Sequence, residues 1–265
     1  MLNINIFTDC LDENAKGRQV LRYESLFPGA KIDFNGLVDR NVSTLAGIVD
    51  ILDATRFGKI SQIIICNVAP REEKQYPNGR PFCFAKIGNA IVIGTEGSFV
   101  FLKKLGVINE VQETDVFTVC KKFLDLDEAQ RIASSQFRSF DYVPLLASWL
   151  FQEKEIPSVI QKLEFKEALE QVWFRDCFGN CKTTLTEKNA ERFVADEQIF
   201  VGFNDQKEFI KLPFYRHLSG VPNNTIALIV GSSGYKNNRF LEIVKQGGSA
   251  GKDLNIESGT KIFLK

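Results

Sequence analysis

The chain has 265 residues, of which 44% are hydrophobic and 25% are charged, as in a globular protein with room for one large domain or two smaller ones. Its 33 basic and 33 acidic residues cancel, so charge gives no reason to expect nucleic acid or an anionic membrane as a partner. No apolar run reaches the roughly 18 residues of a membrane span, and the start MLNINIFTD does not resemble a signal peptide. We therefore expect a cytoplasmic protein.

The six cysteines and the single histidine do not predict a metal site. Cys177 and Cys181 form a C-x3-C pair, but no second Cys/His pair is nearby in the sequence, and zinc needs further ligands. His217 is not accompanied by a nucleophile motif. We expect reduced thiols and no metal.

The first part of the chain alternates strand-like and helix-like segments. The segment 61–68, SQIIICNV, is almost entirely apolar, as in a strand covered on both faces. This order predicts an α/β domain with a largely parallel sheet. The predicted elements are strand 2–8, helix 15–27, strand 30–34, helix 43–57, strand 61–68, a hairpin of 80–86 and 89–93, helix 98–105, strand 107–112, and helices 125–135 and 141–153.

The last third of the chain changes to short strands. Residues 152–170 are polar and charged, include Pro157, and are interpreted as the junction, which gives domains of residues 1–157 and 158–265. The second domain is predicted to be a small antiparallel β-barrel. Its predicted elements are strands 171–176, 180–185, 198–203, 208–212, 225–230 and 261–264, with one helix at 238–246.

Two polar residues are predicted at the carboxyl ends of parallel strands, where α/β sheets bind ligands. Asp9 follows the first strand and could accept hydrogen bonds from a ribose diol, or it could simply cap a helix or turn. Asn67 ends the strand 61–68. Arg71, Arg80 and Arg138 are candidate anion contacts, although an arginine taken alone is more often a solvated or salt-bridged surface residue.

The segment Gly231 to Gly234, GSSG, follows an apolar strand. Its backbone N–H groups and serine hydroxyls could form a nest for a carboxylate or another anion. It lacks the spacing of a P-loop, and from the residues alone we expect a plain hairpin turn in preference to a nest.

Several segments are more informative by their order than singly. The segments are Thr8-Asp9, FRSFDYVPLLASWL at residues 137–150, DCFGN at 176–180, GSSGY at 231–235 and FLEIVKQGGSA at 240–250. In this order they resemble the S-adenosylmethionine hydroxide adenosyltransferase family, which includes the fluorinases and chlorinases, and the resemblance covers nearly the whole chain.

The resemblance implies a fold and a binding site. It implies an N-terminal α/β domain, a C-terminal β-barrel and a homotrimer, with S-adenosylmethionine bound between the N-terminal domain of one subunit and the C-terminal domain of its neighbour. Asp9 would hold the ribose, Asp176 and Asn180 would contact the methionine and adenine portions, and Ser232 and Ser233 would meet the methionine carboxylate. Ser249 and Ala250 would lie beside the adenine. S-adenosylmethionine would be substrate or ligand, and no separate cofactor is implied.

The catalytic positions of the family carry different residues in this chain. Asn67 stands where the hydrolases have aspartate, Gly79-Arg80 stands at their arginine pair, and Arg138 replaces their histidine. An arginine is always protonated and makes a poor base. The resemblance implies a divergent hydrolase that converts S-adenosylmethionine and water to adenosine and methionine. The alternative is a non-catalytic protein that binds S-adenosylmethionine or adenosine and has lost the Asp-Arg-His set.

Overall fold

A computed structural model describes residues 2–10, 12–36, 45–68, 79–164, 170–191, 198–204 and 209–265. Backbone contacts divide the chain into two compact units. The first comprises Met1–Val42 and Thr55–Glu164, and the second comprises Ser43–Ala54 and Phe165–Lys265. Within the described residues, no helix is long and apolar enough to cross a membrane.

The helices and strands follow in chain order. The helices are α1 Glu13–Leu26, α2 Gly47–Thr55, α3 Val100–Lys104, α4 Val116–Phe123, α5 Leu126–Ser134, α6 Arg138–Asp141, α7 Val143–Phe151, α8 Glu187–Glu191 and α9 Ala250–Asp253. The strands of the first unit are β1 Leu2–Thr8, β2 Lys31–Gly36, β3 Ser61–Asn67, β4 Phe82–Ile87, β5 Ala90–Thr95, β6 Glu110–Thr114 and β7 Val159–Lys162. Those of the second are β8 Val172–Arg175, β9 Cys181–Thr186, β10 Gln198–Phe203, β11 Phe209–Tyr215, β12 Ile226–Tyr235, β13 Asn238–Lys245 and β14 Ile262–Leu264.

The sheet of the first unit is parallel at one side and antiparallel at the other. Its strand order is β2-β1-β3-β5-β4-β6-β7. The pairs β1–β2, β1–β3 and β3–β5 are parallel, whereas β4–β5, β4–β6 and β6–β7 are antiparallel. The register places Thr8 opposite Asn67, so the carboxyl ends of β1 and β3 lie level with each other.

The parallel strands form because their apolar runs are covered on both faces. Ile63, Ile64 and Ile65 of β3 are all buried. The aromatic core includes Tyr142, whose hydroxyl donates to Thr114 Oγ1 at 2.9 Å. The core of this unit also contains Ile4, Ile6, Tyr23, Phe82, Ile93, Val119, Ile132, Leu146 and Trp149.

The sheet of the second unit is barrel-like. Its strand order is β14-β10-β11-β12-β13-β9-β8, and among the described strands only the β11–β12 pair is parallel. Gln171 and Lys261, which precede the two outer strands β8 and β14, form an antiparallel bridge. Nearby, the Val172 N–H donates to the Thr260 carbonyl at 2.8 Å, so the two ends of the sheet are joined by backbone hydrogen bonds. The expected α/β architecture, with parallel N-terminal strands followed by a barrel-like sheet, is confirmed. The first sheet was expected to be largely parallel, but among its described strands three pairs are parallel and three are antiparallel.

Two local predictions were wrong. The segment 238–246, predicted as a helix, is strand β13. The prediction failed because Phe240 to Val244 are buried on both faces, and such a run has no period that distinguishes a strand from a helix. The segment Gly231 to Gly234 is not a hairpin turn, because it lies within β12, where the register to β13 shifts between Val230 and Gly234. Within the segment interpreted as the junction, β7 pairs with β6 of the first sheet.

Candidate functional site

The carboxyl ends of β1 and β3 carry the first group of candidate residues. Thr8 Oγ1 accepts hydrogen bonds from the Cys10 backbone N–H at 3.0 Å and from Asn67 Nδ2 at 3.4 Å. Asp9 follows directly, and its Oδ2 atom is buried without a hydrogen-bond partner among the described residues. A buried carboxylate oxygen is rarely left unpaired. This atom can accept a hydrogen bond from a ligand hydroxyl.

The end of β5 is packed too tightly for any side chain at Gly94. A Cβ atom there would lie 2.6 Å from Ser98 Oγ and 2.8 Å from Cys66 Cβ. Burial raises the pKa of the Cys66 thiol to about 12. Cys66 therefore stays neutral and shapes the end of the sheet rather than acting as a nucleophile.

Arg138 and Arg80 come together, although through a backbone group. Arg138 Nη2 donates to the Arg80 carbonyl oxygen at 3.3 Å, and its guanidinium lies 5.6 Å from the centre of the Phe82 ring. Gly79 has φ +76°, and a Cβ there would lie 2.7 Å from Arg138 Nη2. The glycine thus makes room for the guanidinium. Arg71 lies outside the described residues.

The Arg138 guanidinium is half-buried, and none of the described carboxylates forms an ion pair with it. Burial lowers its pKa, yet it remains a cation because arginine does not lose its proton in proteins. Arg80 lies 3.6 Å from Glu96, measured from Nη1 to Oε2. Arg138 is thus able to attract an anion or an electron-rich group.

In the second unit, Asp176 closes the loop that leads to Asn180. Asp176 Oδ1 accepts from the backbone N–H groups of Phe178 and Asn180, both at 2.9 Å, and Oδ2 accepts from Asn180 Nδ2 at 3.0 Å. The Asp176 carboxylate therefore orients the Asn180 amide. Phe178, at the tip of the loop, is 73% exposed.

Ser249 and Ala250 lie against this loop. The Ser249 side chain occupies the space that a Cβ at Gly179 would need, and the Gly251 N–H donates to the Gly179 carbonyl at 2.9 Å. Ser249 Oγ also accepts from the Lys252 N–H at 3.2 Å and caps α9. The structure thus brings together four predicted residues, which are Asp176, Asn180, Ser249 and Ala250.

Ser232 and Ser233 lie beside a lysine and a glutamate that the sequence interpretation had not chosen. Lys182 Nζ donates to Ser233 Oγ at 2.6 Å and to Ser232 Oγ at 3.2 Å, and it lies 3.4 Å from Glu242 Oε1. Glu242 is buried, and its Oε1 accepts from the Ser232 backbone N–H at 3.0 Å. We call Lys182, Ser232, Ser233 and Glu242 the lysine–serine cluster.

Helix α2 also binds this segment. Asp50 Oδ1 accepts from the Gly234 N–H at 2.9 Å. Asp53 Oδ1 accepts from the Lys236 N–H at 2.9 Å, and Asp53 Oδ2 lies 2.8 Å from Arg239 Nη1. The N–H groups of Ser232 and Gly234 are therefore occupied by carboxylates of the chain, so the predicted backbone nest is not open at these two positions.

A signal for part of this cluster is present in the sequence. Glu242 stands inside the apolar run FLEIV, and a charge in such a run needs a partner when it is buried. Because the run was assigned to a helix, the partner of Glu242 was not predicted. In the strand pairing, Glu242 of β13 lies opposite Lys182 of β9.

The described residues contain no group of three or more His, Cys, Asp or Glu side chains placed to hold a metal ion. Cys177 is exposed and Cys181 is buried.

Comparison with known proteins identifies a fold. No family model matches the chain. No curated protein matches it either. Two crystal structures are similar over the full length. An uncharacterized conserved protein from Thermotoga maritima is 16% identical with a TM-score of 0.68, covering 99% of this chain and 100% of that one. A conserved hypothetical protein from Thermus thermophilus is 17% identical with a TM-score of 0.60, covering 100% of each chain. At these identities the similarity shows the fold alone.

Proposed function

We propose that the protein binds an adenosyl ligand, with S-adenosylmethionine as the first candidate, as a divergent relative of the S-adenosylmethionine hydroxide adenosyltransferases. The observation that carries this proposal is the unpaired, buried Oδ2 of Asp9 at the carboxyl end of β1. A carboxylate in that position suits the two hydroxyls of a ribose, since both of its oxygens accept hydrogen bonds.

The second unit supports the same proposal. Asp176 orients the Asn180 amide, and Ser249 packs on the loop between them, so a polar amide and a small side chain lie together as an adenine contact requires. The barrel-like sheet agrees with the C-terminal antiparallel β-barrel that the sequence resemblance implies. The proposed assembly is a homotrimer in which Asp9 of one subunit and Asn180 of its neighbour bind the same ligand.

Hydrolysis is the second candidate function. In that reaction a water oxygen forms a bond to C5′, the C5′–S bond breaks, methionine leaves as the thioether, and a proton passes to solvent. Arg138 favours it, because a half-buried guanidinium without a carboxylate partner among the described residues can orient an electron-rich nucleophile. Asn67, Arg80 and Arg138 nevertheless offer no general base, since an amide and two guanidinium groups do not accept a proton near neutral pH. The described geometry therefore supports binding better than turnover.

One pair of measurements tests both functions. Purified protein is titrated calorimetrically with adenosine and with S-adenosylmethionine, and the same protein is incubated with S-adenosylmethionine and assayed by chromatography for adenosine and methionine. Binding without adenosine above the no-protein control supports a binding protein, whereas equimolar adenosine and methionine support the hydrolase. No heat of binding and no thermal stabilisation at millimolar ligand would overturn the proposal. Sedimentation analysis with and without ligand tests the trimer.

A further inference from the structure

Three phenylalanines are exposed on neighbouring strands of the barrel-like sheet. Phe200 of β10, Phe209 of β11 and Phe263 of β14 are 44%, 38% and 39% exposed. Large aromatic side chains left together in water mark a surface that contacts another molecule. We infer that this surface binds single-stranded nucleic acid, with bases stacked on the rings and phosphates bound by two adjacent lysines. We call it the phenylalanine–lysine face, and its residues are Phe200, Phe209, Phe263, Lys211 and Lys265.

The strand pairing brings the three rings to one face. Gly202 of β10 lies opposite Phe209 of β11 on one side and opposite Phe263 of β14 on the other. Phe200 is two residues before Gly202 and therefore points to the same face of β10. Val201, between them, is completely buried, so the phenylalanines are on the outer face of the sheet.

Gly202 lets the Phe209 ring lie flat on the sheet. A Cβ atom at Gly202 would lie 3.0, 3.2 and 3.3 Å from Phe209 Cε1, Cδ1 and Cζ. If that point were in the plane of the ring, the two outer atoms would be much farther away than the nearest one. The nearly equal distances therefore place the face of the ring over the glycine. A flat ring on a strand is the platform on which a nucleic acid base stacks.

The two lysines supply positive charge beside the rings. Lys211 Nζ lies 5.8 Å from the centre of the Phe200 ring, and Lys265 Nζ lies 5.5 Å from that of Phe209. Both lysines are exposed, and within the part of the chain that the structure describes neither ammonium has a hydrogen bond or an ion pair. Contact with a ring uses none of the three N–H donors of an ammonium, so these donors remain available to phosphate oxygens.

The charge of this face differs from that of the whole chain. The 33 basic and 33 acidic residues of the chain cancel. Strands β10, β11 and β14, in contrast, contain no acidic residue. The face is therefore locally basic, and local charge is what a phosphate meets.

The combination of rings and lysines favours a single-stranded nucleic acid over a second copy of the chain. Lysine is depleted from the centres of protein interfaces, because its hydrated ammonium needs a carboxylate partner when it is buried. A single strand presents an apolar base face to each ring and a negative phosphate to each ammonium. A duplex stacks its bases on one another and leaves no base face for the rings.

The test measures fluorescence anisotropy of a labelled oligothymidylate of about 12 nucleotides, titrated with the whole chain at low salt. An abasic strand of equal length and charge and a duplex are compared with it. The variants are Phe209→Ala, Lys211→Met and Lys265→Met. The matched controls are Phe57→Ala, at a phenylalanine that is 85% exposed in the first unit, and Lys121→Met, at an exposed lysine 6.0 Å from a phenylalanine ring.

The natural protein and both controls are expected to bind oligothymidylate about tenfold or more tightly than the abasic strand or the duplex. Phe209→Ala should weaken oligothymidylate about tenfold and leave the abasic strand unaffected. Each lysine variant should weaken both single strands and reduce the slope of log affinity against log salt by about 0.7. Because all three positions are exposed, thermal unfolding should be close to that of the natural protein.

Three results would overturn the inference. The first is no change of anisotropy at about 100 μM protein, which is the weak end of non-specific binding. The second is equal affinity of the natural protein for oligothymidylate and the abasic strand. The third is a sedimentation coefficient that falls in Phe209→Ala while its affinity for oligothymidylate is unchanged, since the face would then be a contact between copies of the chain. Adenosine affinity should be unchanged in all the variants, because none of the substituted residues belongs to the candidate site.

Discussion

The carboxylate of Glu242 lies where a side chain of Gly231 would have to be. A Cβ atom at Gly231 would lie 2.5 Å from both Glu242 Cγ and Oε1. The same carboxylate accepts the Ser232 N–H and contacts Lys182. A glycine is therefore needed at position 231, because the buried Glu242 side chain on the neighbouring strand occupies the space that a Cβ would take.

Gly231→Ala is expected to destabilise the protein by about 1–3 kcal/mol, because the methyl group must push Glu242 away from its partners. The free energy of unfolding in urea measures this. The control is Gly17→Ala in α1, where nothing lies within 4 Å of the added atom. That variant should gain about 0.4–1 kcal/mol, since alanine restricts the unfolded chain. Equal effects of the two substitutions would contradict the packing argument.

Asp53→Ala is expected to lower the free energy of unfolding by about 1.5–3 kcal/mol, because it removes the ion pair to Arg239 and the acceptor of the Lys236 N–H. The matched control is Asp33→Ala. Asp33 also contacts a cation at 2.8 Å, Lys31 Nζ, but its side chain is 44% exposed. Asp33→Ala should therefore lower the free energy of unfolding by only about 0–1 kcal/mol. Denaturant unfolding of both variants decides whether α2 is held by Asp53.

Substitutions of Asp9 and Asp12 should have opposite effects on adenosine affinity and on stability. Asp9→Asn is expected to weaken adenosine binding about tenfold or more without loss of stability, since the carboxylate oxygen it changes has no partner among the described residues. Asp12→Ala should lower stability by about 1 kcal/mol with adenosine affinity kept, because Asp12 caps α1 by accepting the Ala15 N–H at 2.8 Å. Calorimetry and thermal unfolding measure the two effects. A stability loss in Asp9→Asn with normal affinity would refute the assignment.

Stability should fall in alkali because of the buried thiols. Burial raises their pKa from the ordinary 9.0 to about 11 for Cys120 and about 12 for Cys66, Cys83 and Cys181. Such thiols stay neutral in the folded protein and ionise on unfolding. Their contribution is therefore complete below pH 9.0 and is lost as the pH rises towards about 11–12.

In that pH window each thiol lowers the free energy of unfolding by about 1.4 kcal/mol per pH unit. Urea unfolding from neutral pH upwards measures it. Cys120→Ala should make the fall shallower by one thiol, whereas Cys177→Ser, at an exposed position, should leave the slope unchanged. An identical slope in all three proteins would show that burial does not control these groups.

Much of the fold was predictable because its signals are local. The apolar run of β3 and the Pro28-Gly29 stop after α1 depend only on residues close in the chain, and both elements occur as expected. The prediction was wrong at β13, whose residues are buried on both faces and show no period. Helix α4 was not predicted, although Asp115 caps it by accepting the Thr118 N–H at 2.8 Å.

The candidate site was predictable only in part. The sequence indicated Asp9, because an acid after a strand is a local pattern, whereas Asp176 and Asn180 were indicated only by the family resemblance. It did not indicate that both oxygens of Asp176 are occupied in holding the loop and orienting Asn180.

By itself, then, the sequence determined which segments are strands and helices wherever a period or a turn signal was present. It also determined that polar residues stand at the carboxyl ends of β1 and β3. Only the tertiary structure decided that Lys182 meets Glu242 and the two serines, and that Asp50 and Asp53 hold the β12–β13 turn. The physical reason is that these contacts join residues some 50 to 180 positions apart, as in the Lys182–Ser232 and Asp53–Lys236 bonds. Such pairings depend on strand register and burial, which no local pattern of residues encodes.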